Sequence, residues 1–529
     1  MKKITWIALL FPLLMACSHD EAAPDEQMPS RTPEGELYHD MIQLGEKLDD
    51  PYTVANMQKA LSSVYPTKAA REPLSATDYY VRFLPQDDDQ LQQLKEEGLY
   101  LMDHPMDYSI LREGDYYQDP EVGENDITWQ YAVVPVDFAF PDGIHYELLD
   151  ECFLAEHRAA SKADDGVDWD LVEREAFRLT GNGEMLETLT KGSSSGTPEG
   201  RITVEDPAYC DGKPIGVSGI MVACNIFVRI ATAYTDRDGY YKMKTSFSGT
   251  PRYRVVCKNE KGFNIGFNFI LVPASVFTLG KAGPEGVDFH VTQEECPVFF
   301  RRCAVNNAAY DYYSRCNRED LDISLPPSDL RFWILDGLKV SSACMLHHGA
   351  FPQDGKILKD YLGVYMSLVE LFLPDITIGP KEQDYAGIYG SVIHELAHAS
   401  HYTKVKNGYW DPYIQYVLQC FVLEGWSLYG SGTKDGAGYC EVSEMWAYFL
   451  EAALKKERYG GAITLYGNTF GWFYPDIFTK LYERGLSHGE LFKALNEEVT
   501  GIDDLRDSLL ELYPHMDEAI EQTFDYFGK

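Results

Sequence analysis

Positive charge is scarce in this sequence. Its 529 residues include 46 lysines and arginines against 83 aspartates and glutamates, which gives a formal net charge of −37. Proteins that bind nucleic acid need basic surfaces to neutralise phosphates, so this balance argues against a nucleic acid partner. Closely spaced cysteine pairs are missing as well, since none of the 11 cysteines belongs to a CxxC motif. Nothing in the sequence therefore suggests a structural zinc site built from cysteines.

Long apolar runs are absent after the N-terminus. The run at residues 4–16 follows Lys2 and Lys3 and is too short to cross a bilayer. It leads into the sequence LMAC at 14–17, which resembles the lipobox of bacterial lipoproteins. The resemblance implies that residues 1–17 are a signal peptide with its lipobox and that the thiol of Cys17 carries a lipid. We therefore expect a protein held at the bacterial outer membrane or cell surface through this lipid anchor alone.

Ten cysteines remain after Cys17, and an oxidising compartment would permit this even number to form disulfides. Their connectivity does not follow from the sequence. Cys420 and Cys440 flank a glycine-rich loop, so we expect this pair to be bridged.

The length allows roughly three domains, so we expect a multidomain chain. Residues 18–75 are predicted to be a polar tether followed by a helical segment, and residues 76–190 a small α+β domain with its linker. The strand-like and helix-like segments of this domain are DYYVRFLP (strand, 78–85), QDDDQLQQLKEEG (helix ended by Gly98, 86–98), LYLMDHP (strand, 99–105) and ITWQYAVVPVD (strand, 127–137).

Residues 200–292 have the pattern of short strands separated by turns. Within them, Thr235, Asp236, Gly239 and Tyr240 form a Thr-Asp-x-x-Gly-aromatic turn. The stretch resembles the carboxypeptidase regulatory-like domain, which implies an all-β, immunoglobulin-like or transthyretin-like sandwich. A tight turn explains the aspartates of this motif better than a calcium site does.

One segment of the C-terminal region has the spacing of a metal site. SVIHELAHASHY at 391–402 places His394 and His398 four residues apart, so on a helix both imidazoles lie on one face and can reach one ion. Imidazole suits zinc, and two ligands from one turn leave room for a third ligand and a water. Glu395 stands beside that face, where its carboxylate can accept a proton from this water.

The residues around this motif predict an amphipathic helix. Ile388, Val392 and Leu396 repeat every four residues and form an apolar stripe on the side away from the histidines. Asp384 precedes the helix and is a suitable N-cap. We therefore expect the apolar stripe to lie in the core and the histidine face to line a cleft.

A catalytic zinc site needs a third protein ligand, and the sequence leaves this ligand open. The metzincin pattern requires a histidine at position 404, where this chain has Lys404. His401 would strain tetrahedral geometry on the same helix, so we expect it to line the cleft or support a ligand. Glutamates from a later helix remain, namely Glu444, Glu424 and Glu441. Glu444 is favoured because it follows a glycine-rich loop and opens an aromatic-rich amphipathic helix.

The HExxH motif with a later glutamate resembles the gluzincin metallopeptidases, over roughly residues 296–529. The resemblance implies a mainly α-helical zincin-like domain with a small sheet. It also implies a Zn²⁺ ion held by His394, His398 and Glu444, and hydrolysis of peptide bonds with Glu395 as the general base.

Two further features are implied by the same resemblance. A tyrosine often stabilises the oxyanion in this class, and Tyr448 and Tyr429 are candidates. An edge strand above the metal pairs with extended substrate, and LPDITIGP at 373–380 is suitably placed for that role.

Hydrolysis of extracellular proteins or peptides, glycoproteins included, is therefore the expected function. The alternative is a surface lipoprotein without catalytic activity that binds host glycans or proteins on a retained zincin fold. The intact Glu395 favours the enzyme, because loss of the base would be the simplest way to inactivate such a site.

Overall fold

The fold was obtained as a computed structural model. It describes residues 41–66, 73–114, 116–123, 126–158, 166–187, 195–266, 274–318, 321–337, 339, 341–349, 375–423, 429–461 and 472–529. The predicted signal peptide, the lipobox with Cys17 and the tether lie outside these residues. The chain is multidomain, with an α+β N-terminal region, a sheet-rich middle region and a helical C-terminal region. Among the described helices, none combines the length and the apolar character that crossing a bilayer requires.

The N-terminal region combines two small antiparallel sheets with short helices. Strand β2 lies between β4 and β5 in one sheet, and β1 pairs with β3 in the other. The elements are β1 (Gln43–Lys47), α1 (Val54–Val64), β2 (Asp78–Leu84), α2 (Asp88–Glu96), β3 (Tyr108–Arg112), β4 (Gln130–Pro135), β5 (His145–Cys152), α3 (Trp169–Leu179) and α4 (Glu184–Glu187).

The sequence predicts most of this region correctly. The strands expected at 78–85 and 127–137 are present, and the helix expected at 86–98 forms α2, which Asp87 caps. The prediction of a strand at 99–105 is wrong, because this segment makes only one isolated β-bridge, between Met102 and Tyr131. Leu101 of this segment packs against the core of the N-terminal region, and Tyr100 packs against apolar residues of the middle region.

Two sheets face each other in the middle region. The first has the order β10-β6-β14 with β7 beside β6, and the second contains β13, β11, β8 and β9. Side chains from both sheets fill one core in which Ile202, Tyr241, Val222 and Val255 are almost completely buried. The strands are β6 (Glu199–Val204), β7 (Ile215–Gly216), β8 (Ile220–Ile226), β9 (Arg229–Tyr234), β10 (Tyr240–Lys242), β11 (Arg252–Asn259), β12 (Asn264–Gly266), β13 (Val276–Lys281) and β14 (Phe289–Val291).

The turn before β10 has the geometry that its sequence predicts. The carboxylate of Asp236 accepts hydrogen bonds of 2.9 Å from the backbone N–H groups of Asp238 and Tyr240. Gly239 has a φ of +78°, and a Cβ atom there would lie 2.1 Å from the carbonyl oxygen of Ile202. The Asp236 oxygen that makes these bonds is therefore used to form a tight turn.

The second sheet continues into the C-terminal region. Strand β12 pairs with β11 and runs parallel to β15 (Arg331–Ile334), which in turn pairs with β17 (Ile376–Ile378). The prediction of a strand within 373–380 is thus confirmed, but its placement at the edge is wrong. Strand β16 (Ser342–Ala343) pairs antiparallel with the other side of β17 and is, among the described residues, the outermost strand at this end of the sheet. A strand's place in the chain does not determine its place in the sheet.

Helices form the rest of the C-terminal region. They are α5 (Pro297–Cys316), α6 (Tyr385–Leu423), α7 (Ala437–Tyr459), α8 (Asp476–Glu483), α9 (His488–Ala494), α10 (Ile502–Leu512) and α11 (Asp517–Phe527). Helix α6 is broken at Lys406, which has a φ of 59° and a ψ of −169°. Helices α5 and α7 both pack along α6, so the HExxH motif lies at the centre of this region.

The predicted bridge between Cys420 and Cys440 is absent. None of the ten cysteines among the described residues forms a disulfide, and these two are completely buried. Burial, with a smaller contribution from Glu444, raises the pKa of the Cys440 thiol well above its usual range and favours its neutral form.

Candidate metal centre

Helix α6 presents its two histidines as the sequence predicts. The carboxylate of Asp384 caps the helix by accepting a 2.8 Å hydrogen bond from Gly387 N. The apolar stripe is completely buried in the core. His394 and His398 project towards α7, with ring centroids 4.9 Å apart.

Glu444 on α7 completes a group of three potential ligands. Its Oε2 atom lies 3.3 Å from His394 Nε2, and its Oε1 atom lies 3.5 Å from His398 Nε2. One ligand atom from each residue can be chosen so that all three lie within 4.8 Å of one another. Ligand atoms about 2.1 Å from a tetrahedral ion are about 3.4 Å from each other, so the spacing fits a single ion. His394, His398 and Glu444 therefore form a buried group that can hold a metal ion.

The other two glutamates considered for this role have different positions. The Oε1 atom of Glu441 lies 3.4 Å from Lys529 Nζ, and Glu441 does not belong to the group of His394, His398 and Glu444. Glu424 lies outside the described residues. Of the two candidate glutamates that the structure describes, only Glu444 reaches both histidines.

Comparison with known proteins adds no identification. No protein family, curated protein or solved structure matches this chain. Conclusions about function therefore depend on the geometry and chemistry of the residues themselves.

The histidine face does not line an open cleft, contrary to the prediction. His394 and Glu395 are only 4% and 1% exposed, and His398 and Glu444 are completely buried. The break at Lys406 turns the second half of α6 back, so that Trp410 packs 5.9 Å from the His398 ring, measured between centroids. Helix α6 is therefore buried on both faces, which its apolar stripe alone does not predict.

Glu451 is a residue of the centre that the sequence analysis missed. It is 1% exposed, and its Oε2 atom lies 3.4 Å from His394 Nδ1. Its other oxygen lies 3.6 Å from Lys455 Nζ. A carboxylate on the far nitrogen fixes the ring orientation and leaves Nε2 facing Glu444. The signal was present in the sequence, because Glu451 follows Glu444 by seven residues and so occupies the same face of α7.

Ser443 has the equivalent position beside the second histidine. Its hydroxyl lies 3.0 Å from His398 Nδ1 and 3.3 Å from His401 Nδ1. When His398 Nε2 faces the metal position, its Nδ1–H donates to Ser443, and the serine hydroxyl can donate to His401. Burial lowers the pKa of His401 to about 3, so this histidine is the neutral acceptor that the chain of bonds requires. The expectation that His401 supports a ligand agrees with this arrangement.

Two tyrosines contact Glu444, and a third lies beside them. The hydroxyl of Tyr413 donates a 2.7 Å hydrogen bond to Glu444 Oε1, and that of Tyr429 lies 3.4 Å from Oε2. The hydroxyls of Tyr429 and Tyr448 are 3.1 Å apart, and the Tyr448 ring packs 4.4 Å from the His394 ring between centroids. Both tyrosines singled out from the sequence therefore lie at the centre, and Tyr413 joins them.

Glu395 lies towards the outermost strand of the sheet. Burial and the nearby carboxylate of Glu395 raise the pKa of the Cys344 thiol to about 12, against a hydrogen bond from Ser342 that lowers it. Cys344 directly follows β16. Helix α6, which carries Glu395, packs against β16.

The two histidines of the centre differ in the direction in which their pKa values are shifted. Burial alone would lower the pKa of His394, but Glu444 and Glu451 outweigh it and raise the pKa to about 10. Burial dominates at His398 and lowers its pKa. These shifts favour the charged form of His394, with one ring nitrogen facing each carboxylate, and the neutral form of His398.

Proposed function

We propose that this protein is a zinc-dependent metallopeptidase of the gluzincin type that hydrolyses peptide bonds in extracellular proteins. The observation that supports it is the contact of Glu444 with both histidines of the HExxH motif. Two imidazoles and a carboxylate are a ligand set of catalytic zinc sites, in which one coordination position stays open. Magnesium and calcium prefer sites made of oxygen ligands alone, so a set with two imidazole nitrogens and one carboxylate suits zinc better.

The residues around this group have separate roles in the proposed reaction. A zinc ion held there would act as a Lewis acid towards a peptide carbonyl and towards water. Glu395 accepts a proton from the attacking water and delivers it to the leaving amine. The hydroxyl of Tyr448 or Tyr429 donates a hydrogen bond to the carbonyl oxygen as it gains negative charge. Glu451 and Ser443 hold the two imidazoles in orientation.

One observation favours the alternative, a binding protein on a retained zincin fold. The three proposed ligands and Glu395 are at most 4% exposed, so a peptide has no open route to them among the described residues. Hydrolysis would then require part of the covering structure to move, as lids do in other enzymes. The intact base and the complete ligand set favour the enzyme over the binding protein.

The lipid anchor at Cys17 and the location at the outer membrane or cell surface belong to the same proposal. They depend on the lipobox alone, which lies outside the described residues. A surface location would bring the centre to extracellular protein or peptide substrates.

Two measurements on one preparation test the proposal. The purified chain, lacking residues 1–17, should contain about one zinc ion per molecule and cleave an unfolded test protein such as reduced casein. Removal of zinc with a chelator should abolish cleavage, and added zinc should restore it. Bound zinc without any cleavage of a panel of unfolded proteins would favour the binding protein, and absence of zinc would contradict the proposed zinc peptidase.

A further inference from the structure

Helix α6 has a glycine in its interior, one turn before the first histidine of the proposed metal centre. Gly390 is buried and precedes His394 by four residues, so both lie on the same face of the helix. Glycine in the interior of a helix is destabilising relative to alanine. The atoms that lie against this position show what a side chain there would displace.

Two charged side chains of α7 occupy the space in front of Gly390. A Cβ atom added to this glycine would lie 2.7 Å from Oε1 of Glu451, 2.7 Å from Cδ of Lys455 and 3.0 Å from its Nζ. Carbon atoms that are not bonded to each other pack about 3.5–4.0 Å apart, so these contacts are too short to persist. Even the smallest side chain at position 390 would therefore compete with Glu451 and Lys455 for the same space.

This close approach differs from that of a glycine that the backbone requires. At Gly438 on α7, a Cβ atom would lie 2.1 Å from the carbonyl oxygen of Thr500, which belongs to the backbone. At Gly390 the three nearest atoms all belong to the outer parts of two long side chains. The fold can therefore accept an alanine at position 390, provided that Glu451 and Lys455 move.

The position of the Glu451 carboxylate is important for the proposed centre. Its Oε2 atom lies 3.4 Å from His394 Nδ1, and its Oε1 atom lies 3.6 Å from Lys455 Nζ. The residue is only 1% exposed, and close packing leaves such a side chain few other positions. Because the two oxygens belong to one rigid group, displacing Oε1 also moves Oε2 relative to the imidazole.

The two helices thus present matching pairs of positions. Gly390 and His394 are four residues apart on α6, and Glu451 and Lys455 are four residues apart on α7, so each pair lies on one face of its helix. The carboxylate contacts the histidine of the first pair, and both charged side chains cover the glycine.

We propose that Gly390 is a positioning residue of the metal centre, because its missing side chain leaves the space in which Glu451, paired with Lys455, holds the ring of His394. This inference rests on the proposed function and adds a residue that offers no ligand atom. Gly390 acts on the centre through Glu451.

Gly390→Ala tests the proposal in the full chain lacking residues 1–17. Zinc affinity, measured by competition with a chromophoric chelator, should fall by about tenfold, as expected when an outer partner of a ligand is displaced. The melting temperature of the metal-free protein should stay the same or rise, because alanine favours a helix interior. Unchanged zinc affinity, or a lowered melting temperature, would overturn the proposal.

A double-variant cycle shows whether the glycine acts through Glu451. In a chain that already has Glu451→Gln, adding Gly390→Ala should weaken zinc binding by less than about twofold, because residues that act through one contact are not additive. Independent losses that add up would overturn the proposal. Gly387→Ala is the matched control on the same helix, since the atoms nearest to its Cβ would belong to Gln383 and Asp384. It should bind zinc as the wild type does.

Crystal structures of the metal-free wild type and of Gly390→Ala give a result that does not depend on zinc. In the variant, the Glu451 carboxylate should lie more than about 4 Å from His394 Nδ1, beyond the distance of an ion pair. An unchanged contact would overturn the proposal. A wild type that binds no zinc would instead contradict the proposed function, and a displaced carboxylate would still support the action of Gly390 on Glu451.

Discussion

Glu451→Gln is the change that most specifically probes how the proposed zinc ligands are held. The substitution keeps the shape of the side chain and removes the negative charge 3.4 Å from His394 Nδ1. The ring of His394 then loses the partner that fixes its orientation and strengthens Nε2 as a donor. Zinc affinity should fall, although all three ligands remain.

The structure indicates that the loss of zinc affinity in Glu451→Gln should be at the lower end of the range usual for such substitutions. Loss of an outer partner of a ligand typically weakens metal binding by about 10–100-fold. The contact of 3.4 Å is longer than a strong charge-assisted hydrogen bond, and Tyr448 also packs against the ring, 4.4 Å away between centroids. We therefore expect a loss of about tenfold, which corresponds to about 1.4 kcal/mol.

Competition with a chromophoric zinc chelator at pH 7.5 measures this loss as a ratio of dissociation constants. Glu441→Gln is the matched control, since it removes a second buried carboxylate from α7 that pairs with Lys529 and not with a histidine. The control should bind zinc as the wild type does. Equal affinities for the wild type and Glu451→Gln would refute the role of Glu451, and equal losses in both variants would indicate a general effect on α7.

Three further predictions concern the ligand, the N-terminal region and the anchor. Glu444→Gln should lose most of the bound zinc because it removes a charged ligand, whereas Glu424→Gln should keep it; metal analysis of both proteins distinguishes them, and the reverse result would move the third ligand to Glu424. Burial raises the pKa of Asp50 to about 8, so its contribution to folding is present below about pH 4 and is lost as the pH rises towards 8. Asp50→Asn should therefore gain stability relative to the wild type between pH 5 and pH 8 in denaturant titrations, and an equal difference at both pH values would contradict this. Cys17→Ser should release the protein from the membrane fraction, because attachment of the lipid needs that thiol; unchanged fractionation would leave an ordinary signal peptide.

The local patterns of the sequence predict the elements better than they predict how the elements meet. Asp384, the apolar stripe and the four-residue spacing of the histidines determine helix α6 without any distant contact, and all three are as expected. The prediction of the outermost strand is wrong because β16 reaches its place beside β17 through pairing that is not local. The burial of the centre could not be predicted from the sequence. It depends on the break of α6 at Lys406 and on the aromatic rings after the break, which pack against the histidines.

In the metal centre, too, some residues can be predicted from the sequence, whereas others depend on how the helices pack. Glu444 could be favoured from its helix and its loop, because the chain must turn back to bring a later glutamate to the histidines. Glu451 shares a face with Glu444 and could have been found by helix periodicity, once α7 was known to face α6. The link from His398 through Ser443 to His401 needs two packed helices, and the side chains alone do not indicate it.

The most direct test of the proposed activity is to measure zinc content and peptide cleavage together in Glu395→Gln. The substitution keeps the size of the side chain but cannot accept a proton, and Glu395 is not one of the three proposed ligands. The variant should retain the zinc of the wild type, while hydrolysis of the test protein falls by about 10²-fold or more, as loss of a general base predicts. A zinc-loaded variant that cleaves as fast as the wild type would contradict the assignment of Glu395 as the base and the mechanism that depends on it.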